Sequence, residues 1–71
     1  MHHELIQDSS NLCSLGYDPE TQVLEVRFKS GAFYRYYKVP AELVQAFWQA
    51  KSKGQFLHAQ VSTVYSGRKV G

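Results

Sequence analysis

The segment that most restricts the fold of this chain is a run of ten residues that is rich in aromatic side chains and ends at a proline. It reads Gly31-Ala32-Phe33-Tyr34-Arg35-Tyr36-Tyr37-Lys38-Val39-Pro40. Successive side chains of a strand point to opposite faces, so one face of an aromatic strand builds the core while the other stays free to bind. The strand ends before Pro40, because proline cannot donate a hydrogen bond to a sheet.

A second strand and a three-residue turn set the register of this run. Residues 22–29 alternate apolar and polar side chains, which is typical of a half-buried strand. A loop of residues 29–31 places Gly31 at the left-handed position of a type I turn with a G1 bulge. On the core face, this register pairs Leu24 with Tyr36, Val26 with Tyr34, and Phe28 with Ala32. On the other face, it pairs Val23 with Tyr37, Glu25 with Arg35, and Arg27 with Phe33.

The remaining patterns predict one more strand and two helices. Residues 11–17 form the first strand, in which Leu12 is exposed unless a bulge near Gly16 rotates the chain. Apolar side chains at helical spacing predict helices over 41–51 and 56–65. The predicted fold is therefore α+β, with a three-stranded antiparallel β-meander packed against two C-terminal helices in the order β-β-β-α-α.

The residues after the first helix and at the two ends of the chain predict where the helix and the domain end. Gly54 follows Lys51 and Lys53 and is expected to cap the C-terminus of the first helix. Residues 10–66 are expected to form a single domain. A flexible N-terminal segment, residues 1–9, and a flexible basic tail, residues 67–71, are expected on either side of it.

Composition and spacing narrow the classes of function. No apolar run approaches the roughly 18 residues of a membrane span, and the N-terminus lacks the apolar region of a signal peptide, so a cytoplasmic protein is expected. Cys13 is the only cysteine, which rules out an internal disulfide. No nucleophile, carboxylate pair or metal-ligand cluster stands at a usable spacing. The sequence therefore predicts a protein that is not an enzyme, with no catalytic residue, metal site or cofactor.

Charge is distributed unevenly along the chain. Residues 1–26 hold five of the six acidic residues and none of the eight lysines and arginines. Such asymmetry is typical either of a basic face for nucleic acid or of two halves that are solvated differently.

An ordered set of short motifs resembles the KTSC domain, a family named for its place at the C-terminus of some lysyl-tRNA synthetases. The motifs are Gly16-Tyr17-Asp18, Leu24-x-Val26-x-Phe28-x-x-Gly31, Tyr34-x-Tyr36-x-x-Val39-Pro40, Ala50-x-Ser52-x-Gly54-x-Phe56 and a late Tyr65. The resemblance covers roughly residues 8–66, and His58 stands where a small polar residue such as Asn is expected. The family also includes stand-alone proteins of bacteria and phages. Its attachment to a synthetase implies an accessory role and contact with RNA.

The solvent face of the predicted sheet is the candidate binding site. Aromatic rings stack on unpaired bases at roughly 1–3 kcal/mol per base, and basic side chains meet phosphates. The candidate residues for binding tRNA or single-stranded nucleic acid are Arg27, Phe33, Arg35, Tyr37, Lys51 and Lys53. In the alternative interpretation, the same aromatic face packs on a partner protein or on a second copy of the chain, and the sequence leaves the oligomeric state open.

Overall fold

The computed structural model describes residues 2–71, and residue 1 lies outside the described part. Within these residues the chain forms one antiparallel sheet whose five strands follow sequence order. The strands are β1 (His3–Leu5), β2 (Leu12–Asp18), β3 (Val23–Phe28), β4 (Phe33–Tyr36) and β5 (Gly67–Lys69). Between β4 and β5 lie α1 (Ala41–Gln49), α2 (Lys53–Phe56) and a π-helical segment (Leu57–Ser62) that continues α2 directly.

The α+β class and the antiparallel meander with its two helical units are confirmed, but the prediction of three strands is wrong. The additional strands β1 and β5 lie at the two edges of the sheet, in the terminal segments 1–9 and 67–71 that were expected to be flexible. Both strands have three residues, too few for an alternating pattern to be recognised. They form because the backbone groups at the edges of β2 and β4 offer a template for pairing.

The hairpin of β3 and β4 has the predicted register. Val26 lies opposite Tyr34, and Glu25 lies opposite Arg35. Gly31 has a φ of 98°, a backbone conformation that residues with a side chain rarely adopt. Its amide donates a hydrogen bond to the carbonyl of Phe28 at 3.0 Å. The turn chemistry therefore determines which side chains reach each face of the sheet.

Strand β2 contains a bulge, but at a different place from the one predicted. Leu12 lies opposite Phe28 and Ser14 lies opposite Arg27, so Cys13 is the extra residue. The bulge turns the side chain of Leu12 into the core, where it is buried. Gly16, where the bulge was expected, pairs regularly with Glu25.

The first helix begins after Pro40, as the sequence indicates, but ends at Gln49 instead of continuing to residue 51. Gly54 does not cap it, because a second helix has already begun at Lys53. The hydroxyl of Ser52 accepts a hydrogen bond from the Gln55 amide and caps that helix at its N-terminus. The second helical unit therefore spans 53–62 rather than the predicted 56–65.

Both helical units pack on one face of the sheet. Val44 and Phe47 of α1 and Leu57 and Val61 of the π-helical segment are buried against this face. The sheet contributes a larger set to the same core: Leu12, Leu15, Leu24, Val26 and Tyr36. The opposite face of the sheet is therefore left to polar and half-buried side chains. Among residues 2–71, no helix is long and apolar enough to cross a membrane.

Candidate nucleic-acid interface

The sheet face opposite the helices, called the outer face below, gathers four of the six predicted site residues. Direct pairing of Arg27 with Phe33 and of Glu25 with Arg35 puts these side chains on the same side of β3 and β4. Tyr37 follows β4 immediately, and its amide donates to the carbonyl of Ser66 at 3.1 Å. The strand alternation predicted from the sequence therefore brings Arg27, Phe33, Arg35 and Tyr37 together.

Arg27 and Phe33 form a stacked pair on the outer face. The guanidinium carbon of Arg27 lies 4.6 Å from the centre of the Phe33 ring, a cation–π distance. The ring of His3 lies 5.7 Å from the same ring, centre to centre, at a tilt of 51°. Arg27 is exposed and Phe33 is half-buried. Guanidinium groups can stack on bases, and the exposed Arg27 guanidinium lies over an aromatic ring, so this pair is a candidate contact for a base.

Arg35 is held by a buried carboxylate. Glu25 is only 8% exposed. One of its oxygens, Oε2, accepts hydrogen bonds from Arg35 Nε at 3.0 Å and Nη2 at 2.7 Å. The other, Oε1, accepts one from His3 Nε2 at 2.8 Å, and His3 Nδ1 lies 3.1 Å from the Ser14 hydroxyl. Arg35 is therefore a positioned ion-pair partner, not a free cation.

The hydrogen bonds and charges in this network shift the pKa values of Glu25 and Arg35. Burial by itself raises the pKa of Glu25, but the hydrogen bonds from His3 and Arg35 outweigh it, and the pKa lies below its usual value. The hydrogen bond to Glu25 and its negative charge raise the pKa of Arg35. Both groups are therefore charged at neutral pH.

Arg68 of β5 belongs to the outer face, although the site prediction did not include it. It lies directly opposite Arg35 and is exposed. Lys69, the next residue, lies opposite Tyr34 and so belongs to the helix side of the sheet. The only sequence signal for Arg68 was the basic character of the tail, because β5 is too short to show alternation.

The structure places Lys51 and Lys53 away from the outer face. Lys51 is exposed in the connection between α1 and α2. Lys53 is 9% exposed, and its ammonium group donates to Asp8 Oδ2 at 3.1 Å and to the Ala50 carbonyl at 3.3 Å. The hydrogen bond from Lys53 lowers the pKa of Asp8. Lys53 is thus a buried anchor for the N-terminal segment rather than an exposed phosphate contact.

These features define a small α+β domain with an antiparallel sheet, helices on one face and an aromatic, basic face on the other. Residues 8–65 match the KTSC domain, and the chain belongs to the KTSC domain family. The matched range excludes both β1 and β5. A crystal structure of a KTSC domain protein from Yersinia pestis superimposes with a TM-score of 0.92 at 34% identity, covering 99% of this chain and 97% of that one.

Similar sequences include both small proteins and parts of larger ones. An uncharacterized protein of Stutzerimonas stutzeri is 64% identical over 47 residues, which is 66% of this chain and 66% of that protein. A lysine–tRNA ligase of Nostoc sp. is 45% identical over 42 residues, which is 59% of this chain but only 8% of the ligase. The similarity to the ligase therefore concerns a small part of that enzyme.

Proposed function

We propose that this protein is a small accessory module that binds RNA or single-stranded nucleic acid through the outer face of its sheet. The observation that carries the proposal is the Arg27–Phe33 stack on a face that also presents Tyr37 and Arg68. In this arrangement Tyr37 offers a ring for a base, the Arg27 guanidinium lying over Phe33 offers a second group on which a base can stack, and Arg68 offers a charge for a phosphate. The module binds and does not catalyse.

The relatives support this proposal. Lysine–tRNA ligases carry a similar segment, and an RNA-binding segment would give such an enzyme an additional contact with tRNA. The cytoplasmic location expected from the sequence is where tRNA and other single-stranded RNA are found.

Arg35 has a different role in the proposal from the one expected. Its two hydrogen bonds to Glu25 hold it in place, so it orders the face instead of neutralising a phosphate. Replacing Arg35 by Glu would put two carboxylates together in the sheet and disturb the fold. Arg35 is therefore unsuitable for a test of binding.

Arg68 and Lys69 offer a matched pair for the test. Both are exposed basic residues of β5, but only Arg68 faces the outer side. We expect Arg68→Ala to weaken binding of a short single-stranded RNA severalfold and to reduce the slope of log K against log salt by about 1. Lys69→Ala serves as the control and is expected to have a much smaller effect.

The measurement is a titration of ¹⁵N-labelled protein with short single-stranded RNA and with tRNA at low and high salt. Shifts centred on Arg27, Phe33 and Tyr37 that fade with salt support the proposal. Absence of shifts at low salt, or equal losses from Arg68→Ala and Lys69→Ala, would contradict it.

A second candidate function, contact with a protein partner or a second copy, is favoured by two exposed apolar side chains. Leu5 of β1 is 69% exposed, and Val70, which follows β5 and donates its amide to the Phe33 carbonyl, is 43% exposed at the opposite edge of the sheet. Static light scattering over a range of concentrations tests self-association. A mass that rises with concentration, and stays monomeric for Leu5→Ser, would identify the outer face as an interface between copies.

A further inference from the structure

A cleft of about 710 Å³ opens on the helix side of the sheet, away from the outer face. One wall consists of the aromatic side chains Phe28, Tyr34 and Tyr36, and the facing wall of Leu57, His58 and Ser62. Its volume lies within the range of about 300–1,000 Å³ that small-molecule sites occupy. The cleft is thus large enough for a ligand the size of a nucleotide.

The aromatic wall has the geometry of a stacking platform. Tyr34 and Tyr36 are nearly parallel, at 15°, with ring centres 6.2 Å apart, and Phe28 meets Tyr34 edge to face at 5.6 Å. The strand alternation predicts that Tyr34 and Tyr36 lie on the core face. Tyr36 is buried and its hydroxyl lies 3.1 Å from that of Ser62, but Tyr34 is only half-buried. Part of the Tyr34 ring is therefore available to a ligand.

Gly54 lies at the end of the cleft without a structural reason to be glycine. It does not have a positive φ, and a Cβ at this position would meet only the Ser9 hydroxyl, at 4.0 Å. Glycine in a helix is destabilising relative to alanine. A helical glycine with open space above it lets another molecule approach the backbone closely. The π-helical segment beside it is a geometry often found at functional sites.

The charges around the cleft indicate what kind of ligand it accepts. Among the described residues, 2–71, no lysine, arginine, aspartate or glutamate lines it, so the buried part of the ligand is neutral. Asn11 and His58 supply hydrogen-bonding groups. A second groove of about 740 Å³ shares Asn11, Gly54 and His58 with the cleft and continues to exposed Lys51 and Ser52. This groove also contains Asp8 and Lys53, whose charges are paired with each other, so exposed Lys51 is the positive group that an anion attached to the ligand would meet.

We infer that this cleft binds a nucleobase, stacked against Tyr34, with the attached sugar phosphate crossing Gly54 toward Lys51. The base is either that of a free nucleotide or an unpaired base of an RNA strand. The inference does not require the outer face to bind, because the two sites lie on opposite faces of the sheet. It keeps the phosphate-binding role expected for Lys51 but assigns it to a ligand in the cleft instead of one on the outer face.

The test is a titration of the ¹⁵N-labelled full chain with each of the four ribonucleoside 5′-monophosphates, with ribose 5-phosphate, and with a short single-stranded RNA. Shifts at Tyr34, Gly54 and His58 with a monophosphate, but not with ribose 5-phosphate, support recognition of a free nucleotide. The same shifts with RNA alone support a base presented by the strand. Equal shifts with ribose 5-phosphate, or shifts with none of the probes, overturn the inference.

Three substitutions separate a binding role from a structural one. Gly54→Ala is expected to leave the melting temperature unchanged or higher while weakening binding about fivefold or more. A lower melting temperature with unchanged affinity would instead make Gly54 structural and overturn its assigned role. His58→Ala is expected to weaken binding, whereas Gln60→Ala, an exposed change in the same segment outside the cleft, is expected to have no effect.

Arg68→Ala distinguishes this inference from the proposed function. The variant removes a charge from the outer face and leaves the cleft intact, so it is expected to bind the monophosphates as the natural chain does. Loss of monophosphate binding in Arg68→Ala would show that the nucleotides bind on the outer face and would overturn the assignment to the cleft.

Discussion

Glu25 connects three strands through its side chain alone. Its carboxylate lies on β3, His3 reaches it from β1 across β2, and Arg35 reaches it from β4. The sequence predicts only the pair with Arg35, on the solvent face of the sheet, and cross-strand pairs of this kind contribute under about 1 kcal/mol. The third member was missed because His3 lies in a segment that was expected to be flexible. With both partners the carboxylate becomes a buried, satisfied charge, whose loss costs more than that of a surface pair.

The first prediction concerns this carboxylate. Glu25→Gln is expected to lower the free energy of unfolding by about 1–3 kcal/mol at pH 7, because it weakens charge-assisted hydrogen bonds to two partners. Urea unfolding measures the change. The control is Glu20→Gln, in the exposed turn between β2 and β3, where little change is expected.

The pH dependence of the difference has a defined sign. The folded-state pKa of Glu25 is lowered, so its contribution to stability is fully present above the unfolded pKa of about 4.3 and is lost as the pH falls through the lower, folded value. The stabilities of the natural chain and Glu25→Gln should therefore converge in acid. A difference as large at pH 3 as at pH 7 would show that the carboxylate charge is not the cause.

At the scale of elements, each edge strand is attached by an aromatic ring lying on a glycine. A Cβ on Gly16 would lie 2.6 Å from His3 Cδ2, and one on Gly67 would lie 2.5 Å from Tyr36 Cε1. Both glycines lie directly opposite the residue whose ring covers them. A ring packed over a cross-strand glycine adds side-chain contact where the glycine has none. The edge strands therefore depend on specific pairs and not on an alternating apolar pattern.

The second prediction follows from the His3–Gly16 pair. Gly16→Ala is expected to displace the His3 ring, because the added methyl group and the ring cannot occupy the same space. Hydrogen exchange should then show loss of protection for the amides of β1 and for Ile6, which donates to the Cys13 carbonyl. Protection in β3 and β4 should persist.

The matched substitution at the other edge is Gly67→Ala, which should loosen β5 and leave β1 protected. If Gly16→Ala leaves the exchange of β1 unchanged, the ring does not hold the strand.

At the scale of the whole molecule, ion pairs between the acidic first part of the chain and the basic second part neutralise some of the unevenly distributed charge. Glu25 from the acidic first part pairs with Arg35 of the basic second part, and Asp8 pairs with Lys53. Two of the basic residues predicted to meet phosphates are therefore neutralised internally. Arg27 and Arg68 remain on the outer face, which is a smaller basic surface than the sequence suggested.

The third prediction concerns β5, which lies outside the residues 8–65 that match the family. Removing residues 67–71 takes away β5, its hydrogen bonds to β4 and the backbone under the Tyr36 ring. A loss of about 1–2 kcal/mol would lower the melting temperature of a domain of this size by roughly 4–16 °C. Calorimetry measures the shift. The comparison is with the full chain, because the Gly71 carbonyl itself accepts a hydrogen bond from the Phe33 amide at 3.0 Å. An unchanged melting temperature would show that β5 adds no stability.

The amino-acid sequence by itself determined the parts of this protein that rest on local rules. Alternation and the Lys29-Ser30-Gly31 turn established the register of β3 and β4, and helical spacing located the apolar stripe of α1. These features were predictable because each depends on residues within a few positions of one another. The four candidate residues on the outer face followed from that register.

Only the tertiary structure decided the features that join distant parts of the chain. The pairing of β5 with β4, the burial of Lys53 against Asp8 and the placement of Arg68 beside Arg35 each join residues more than 30 positions apart in the sequence. The contact of His3 with Glu25, which ties β1 to the sheet, spans 22 positions. The cleft beside Tyr34 likewise forms only where the second helical unit meets the sheet. Such contacts leave no periodic signal, because a single long-range pair is fixed by how the packed elements meet and not by the pattern of either segment.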